Sequence, residues 1–167
     1  MTKQYLSMDL IVQIEDFNIN WVGFNNPIPN SIIDGGLFNR LYYSNEFIST
    51  NGINLFCTFK DMRVDRYYNK FKIWVDLEKN TKLISKIYEI EKNILTKINI
   101  RNKSPSYKLS DHFQSKNIKT NSLILNPDGM CIKISGIWQT KSNYGLTFRF
   151  QLANKYRISL DDDLINE

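Results

Sequence analysis

Between Met130 and Leu152 the chain reads MCIKISGIWQTKSNYGLTFRFQL, with apolar residues at alternate positions. Ile132, Ile134, Gly136 and Trp138 share one face, with Lys133 and Ser135 opposite. After the connection, Leu146, Phe148, Phe150 and Leu152 share a face against Thr147, Arg149 and Gln151. Side chains of a strand alternate between the two sides of a sheet, so this period of two predicts two half-buried strands. Gln139 to Gly145 suits a hairpin loop of more than two residues. We read the stretch as the closing hairpin of a small β-barrel, dry on one side, with Lys133, Lys141, Tyr144 and Arg149 as candidates for touching a ligand.

Three more strands are expected upstream. LFNRLYYS, Leu37 to Ser44, is the first. Asn51-Gly52 then marks a turn. INLFCTFK follows from Ile53, with Ile53, Leu55, Cys57 and Phe59 on the core face and Phe56 and Lys60 on the other. Asp61 to Asn69 is expected as a charged loop carrying Arg63, Arg66, Tyr67 and Tyr68. KFKIWVDL, from Lys70, turns Phe71, Ile73, Val75 and Leu77 inward and Lys70, Lys72, Trp74 and Asp76 outward.

One helix is expected next. Leu83, Ile84, Ile87, Ile90, Ile94, Leu95 and Ile98 recur at three-four spacing, and Asn80 or Thr81 suits the N-cap. Residues 101–129 read as a long basic, polar link, with a short strand expected at Ser122 to Leu125 and a turn at Asn126-Pro127-Asp128-Gly129. Residues 1–36 are expected as an arm packed on the barrel, with Met8, Leu10, Val12 and Ile14 alternating and Phe17, Ile19, Trp21 and Phe24 spaced for packing.

The expected class is mainly β (α+β). The order is three strands, one long helix and two strands, which is that of the OB-fold, a five-stranded barrel with a helix between strands three and four. The expected organisation is an N-terminal arm (1–36), an OB-like single-strand-binding domain (37–157) and an acidic tail (158–167).

Charge points to the partner. The net charge is +5, yet the last seven residues, Asp161 to Glu167, hold four of the 17 acids. Residues 1–160 therefore carry 22 bases against 17 − 4 = 13 acids, a formal +9. A basic body favours a polyanion. The tail SLDDDLINE reads in two ways: as a solvated end, or as a competitor for the basic cleft that also recruits replication proteins through Leu164 and Ile165.

Catalytic patterns are weak. The single histidine, His112, stands beside Asp111 in an expected loop, and neighbours in sequence point apart more often than they cooperate. Asp61, Asp65 and Asp76 sit among Lys and Arg and read as charge balance. No P-loop or GxGxxG occurs. Cys57 and Cys131 lie in apolar runs without a CxxC, so they read as buried thiols in a reducing compartment, with no zinc site. MTKQYLSMDL has no apolar core, and no run approaches membrane-spanning length, so neither a signal peptide nor a membrane partner is expected. No enzyme activity and no cofactor are expected.

A binding surface is better supported. Gripping single strands without reading sequence takes cations along the backbone and flat rings beneath the bases. Aromatic residues make up 13% of the chain, enough to serve both core and surface. The expected contacts are Arg40 and Tyr43 on strand one, Phe56 and Lys60 on strand two, and Lys70, Lys72 and Trp74 on strand three. The preceding loop adds Arg63, Arg66 and Tyr67, and the hairpin adds Lys133, Lys141, Tyr144 and Arg149. Trp138 is expected in the core.

The run ISGIWQTKSNYGLTFRF, residues 134–150, resembles the C-terminal motif of small single-stranded DNA-binding proteins of large DNA viruses and of the cytoplasmic linear plasmids of yeasts. The resemblance covers about a tenth of the chain. It implies a cytoplasmic protein that protects displaced strands while a linear genome replicates. The acidic end is similar in style to the tails of bacterial and phage single-strand binders, but lacks their terminal aromatic or Pro-Phe. Two other readings stay open: a non-catalytic docking subunit of a replication or transcription complex, and an RNA-binding protein.

Overall fold

A computed structural model describes residues 10–121 and 123–154. The acidic tail and Met8 lie outside the described residues. The architecture is mainly β with two helices: a nine-stranded sheet and a separate three-stranded sheet, neither closed into a barrel.

The hairpin of Gly129–Gln139 (β11) and Asn143–Ala153 (β12) is the spine. Its ladder runs from Gly129↔Ala153 to Gln139↔Tyr144, with a register shift between Ile134 and Gly136. An extra residue in one strand turns the following side chains to the other face. Ile132 and Ile134 therefore point into the core before the shift, and Ile137 after it. Trp138, expected inside, is turned to the opposite side and is half-buried. Gly136 sits at the pivot, where a Cβ would come within 2.3 Å of the Asn39 carbonyl oxygen.

The same shift divides β11 between two partners. Residues Met130 to Ile134 pair with Ile53–Cys57 (β6), and Gly136 to Gln139 pair with Leu37–Ser44 (β4). The first two expected strands thus lie end to end along one side of β11, which departs from the barrel order. Ile11–Gln13 (β1) adds to β6 in parallel, so β6 is flanked on both edges and all five of its residues are buried. Val22–Phe24 (β2), Ile28–Pro29 (β3) and Ser49–Asn51 (β5) pair with β4. Residues of the expected arm are therefore woven into the sheet, and two 3-10 turns between β1 and β2 pack Ile14, Phe17 and Ile19 on the core.

The expected loop at 61–69 is instead the strand Arg63–Tyr67 (β7), joined to Lys70–Trp74 (β8) through Tyr68 at φ 53°. Val64 is the only apolar residue inside β7 besides its terminal tyrosine, so alternation is faint and backbone pairing carries the strand. On its other edge β8 pairs with Ile118–Thr120 (β10). Of the short strand expected at 122–125, Ser122 lies outside the described residues and 123–125 form no strand; one forms a few residues earlier, where Ile118 and Thr120 are buried.

The helix Thr81–Ile98 (α1) meets its expected bounds and buries Ile84, Ile87, Ile90, Ile94 and Leu95. Asn80 stands at its N-cap but bonds elsewhere: Oδ1 accepts from Lys60 N at 2.8 Å, and Nδ2 donates to the Lys60 and Asp76 carbonyls. Asn99, left-handed at φ 41°, ends the helix by donating to the Leu95 carbonyl.

The expected link 101–129 contains Ser104–Ser106 (β9), paired to the start of β12, and a second helix, Lys108–Gln114 (α2). Only Leu109 and Phe113 mark its apolar side, too few for a period to show. Its anchor is Glu91 of α1, fully buried, which accepts from the backbone N–H of Leu109 (2.9 Å) and Ser110 (2.8 Å) and from the Ser110 hydroxyl. Burial pushes the Glu91 carboxyl above its ordinary range despite these bonds. Cys57 and Cys131 are free and buried; burial raises both thiols, that of Cys131 to about 11.

Candidate nucleic-acid interface

In the three-stranded sheet, register decides which side chains share a side. Ile73 of β8 stands between Val64 and Ile118, and Ile73 and Ile118 are buried on the inner side. Alternation then sends Lys70, Lys72 and Trp74 outward, with Arg63, Asp65 and Tyr67 from β7 and Lys119 from β10. This outer face brings together the expected contacts Arg63, Tyr67, Lys70, Lys72 and Trp74. Arg66, opposite Phe71, is exposed but belongs to the other side.

Cations and rings interlock on this face. The Lys72 ammonium lies 3.8 Å from the centre of the Trp74 ring, and the Arg63 guanidinium lies 5.6 Å from it. The Lys119 ammonium stands 4.4 Å from the Tyr67 ring, which meets Tyr68 edge-on at 5.0 Å. Lys119 is also the direct cross-strand partner of Lys72. Asp65, paired to Arg63 at 3.2 Å, is the face's own acid. The indole Nε1 of Trp74 is buried without a hydrogen-bond partner among the described residues, so the half-buried ring is held by packing and by the cations over it.

Two grooves flank the face. One holds Arg63, Trp74 and Lys116 with Asp61, Asp76 and Glu78. There the Lys79 ammonium donates to Asp61 and holds its carboxyl below the ordinary range. The other is a cleft of about 440 Å³ between β10 and β12, lined by Lys70, Lys119 and Arg149. Expected contact Arg149 therefore stands beside the face, across the ladder from Lys133, which is half-buried on β11.

No family model, curated protein or solved structure matches this chain.

Three expected contacts are corrected by burial. Tyr43, 3% exposed, lies beneath Phe17 and Trp21, and its hydroxyl accepts from Asn18 N at 3.0 Å. Phe56, 2% exposed, is on β6, and its own ring lies against Gly129 of the neighbouring β11. Tyr144, 4% exposed, donates its hydroxyl to the Leu95 carbonyl and so joins the hairpin to α1. Arg40, Lys60 and Lys141 are exposed but sit elsewhere: opposite Gly136 on β4, beside Asn80 below α1, and in the β11–β12 loop.

Lys119 was missing from the expected contacts. Its signal was IKT inside a polar link, one cation flanked by two residues that turn inward. Among the described residues no group of three or more His, Cys, Asp or Glu side chains could hold a metal ion, and no helix is long and apolar enough to cross a membrane.

Proposed function

We propose that this chain binds single-stranded DNA on the outer face of the three-stranded sheet, largely without regard to sequence. The observation that carries the reading is the cross-strand pair Lys72–Lys119, set among the rings of Trp74 and Tyr67. Like charges directly opposite on neighbouring strands repel, and Asp65, opposite Lys72 on the other edge, is paired to Arg63. An anionic backbone relieves that repulsion, while each stacked base contributes roughly 1–3 kcal/mol. Phosphates lie against Lys70, Lys72 and Lys119, and bases lie on Trp74 and Tyr67. A duplex keeps its bases inside and gains nothing from these rings, so single strands are preferred.

The reading keeps from the OB comparison the use of a sheet face, and it needs no closed five-stranded barrel. The chain acts by binding, without catalysis. By its resemblance to the binders of linear plasmids and large DNA viruses, the strands it covers are those displaced in cytoplasmic replication, with replication proteins as partners.

The test is a titration of tryptophan fluorescence with oligo(dT) at several salt concentrations. Quenching that weakens steeply with salt supports the reading. No binding, or equal affinity for a duplex of the same length, overturns it. An RNA oligomer of matched sequence, run as competitor, decides between DNA and RNA.

A further inference from the structure

The cleft between β10 and β12 offers more than charge. Among the described residues, the outer edge of β12 has no paired strand beyond Gly145, because β9 pairs only with Asn143 to Gly145. That edge, from Phe148 to Gln151, forms one wall of the cleft. The opposite wall is β10 with Asn117 and Asn121 at its two ends, and Lys70 and Lys119, which line it, join the cleft to the outer face. At about 440 Å³ the cleft falls within the size range of small-ligand sites.

Its polar groups differ in kind from those of the outer face. Asn117, Asn121 and Gln151 each carry a donor and an acceptor in one plane, the arrangement that pairs with the edge of a nucleobase. Lys70, Lys119 and Arg149 supply positive charge at the same place. Phe148 is half-buried, and the ring of His112 meets it edge-on at 5.4 Å. That imidazole is fixed by Nδ1, which donates to the Lys108 carbonyl at 2.7 Å. A sequence-tolerant surface needs rings and cations alone, and in-plane amides gathered beside them serve a different task.

We propose that this cleft is a base-reading subsite: it takes one nucleotide of the bound strand, holds its phosphate with Lys70, Lys119 and Arg149, and reads its base edge with Asn121 and Gln151. The inference rests on single-strand binding by the adjacent face. It makes that binding selective at one position while the remaining positions stay permissive.

The four deoxynucleoside monophosphates, titrated separately into the isotopically labelled protein, test it by NMR. Shifts are expected at the side-chain amides of Asn121 and Gln151, with one nucleotide bound at least about fivefold tighter than the weakest, a step of roughly 1 kcal/mol of the kind one mispaired edge costs. Gln151→Leu and Asn121→Ala should each bring the four affinities to within about twofold, and Arg149→Ala should weaken all four alike. Oligo(dT) binding by the two amide variants, followed by tryptophan quenching, separates the proposals. If the oligomer binds while the four nucleotides bind equally, or while the shifts cluster at Trp74 and leave the cleft unmoved, the subsite is wrong and the face stands. If the oligomer does not bind the unaltered protein, the face itself is wrong.

Discussion

The ammonium of Lys72 stands 3.8 Å from the centre of the Trp74 ring, over a surface on which a base would stack. A half-buried cation–π contact is worth about 0.5–2 kcal/mol, less than a stacked base together with a phosphate contact. On the proposed binding, the ammonium is expected to move to the backbone and a base to take its place. Trp74→Ala should weaken oligo(dT) binding roughly 5- to 150-fold, the equivalent of one stacked base. Trp74→Phe, which keeps a ring, should lose less. Anisotropy of a labelled oligomer measures both.

Removing a phosphate contact acts on the salt dependence. For single strands each neutralised phosphate adds about 0.7 to the slope of log affinity against log salt. Lys72→Ala and Lys119→Ala should each lower that slope by about 0.7. Arg40→Ala and Lys141→Ala, remote from the outer face, should leave it unchanged. Equal effects from all four variants would mean diffuse attraction to the whole body.

Glu91 predicts a pH dependence of stability. Its folded pKa is raised above the ordinary 4.5, so the folded state prefers the protonated acid. That contribution is fully present below about the ordinary value and is lost as pH rises through the folded one. Relative to Glu91→Gln, which cannot ionise, the unaltered protein should lose melting temperature as pH rises above the ordinary carboxyl value and through the raised folded one. Glu91→Ala leaves the Leu109 and Ser110 donors without their acceptor and should cost on the order of 3 kcal/mol. Thermal melts across that range check both.

Gly136→Ala tests the pivot of β11. The added Cβ would fall 2.3 Å from the Asn39 carbonyl oxygen and 2.5 Å from the Phe38 ring, and backbone cannot yield as a flexible side chain does. A loss of about 1–3 kcal/mol is expected, seen as a lower urea midpoint at unchanged slope.

Much of the fold was legible in local pattern. Leu37–Ser44, the long hairpin and α1 were expected nearly to the residue, because alternation and three-four spacing are properties of the segment itself. Lys70, Lys72 and Trp74 were read as outward for the same reason. The weakly patterned pieces were not legible: β7 has Val64 as its sole interior apolar residue, and α2 depends on Glu91 from another helix.

By itself, then, the sequence determined where the chain runs straight, where it coils, and which residues are charged or flat. Tertiary structure alone decided which of the expected wet faces stay wet. A period of two says that two faces differ but not what covers them. Phe56 was buried with its ring against Gly129, Tyr43 was covered by Phe17 and Trp21, and Tyr144 was drawn under α1. One extra residue in β11 turned Trp138 out of the core, and the pairing of β10 with β8 set Lys119 opposite Lys72. Each of these outcomes depends on a partner distant in the chain, and alternation within a segment carries no record of that partner.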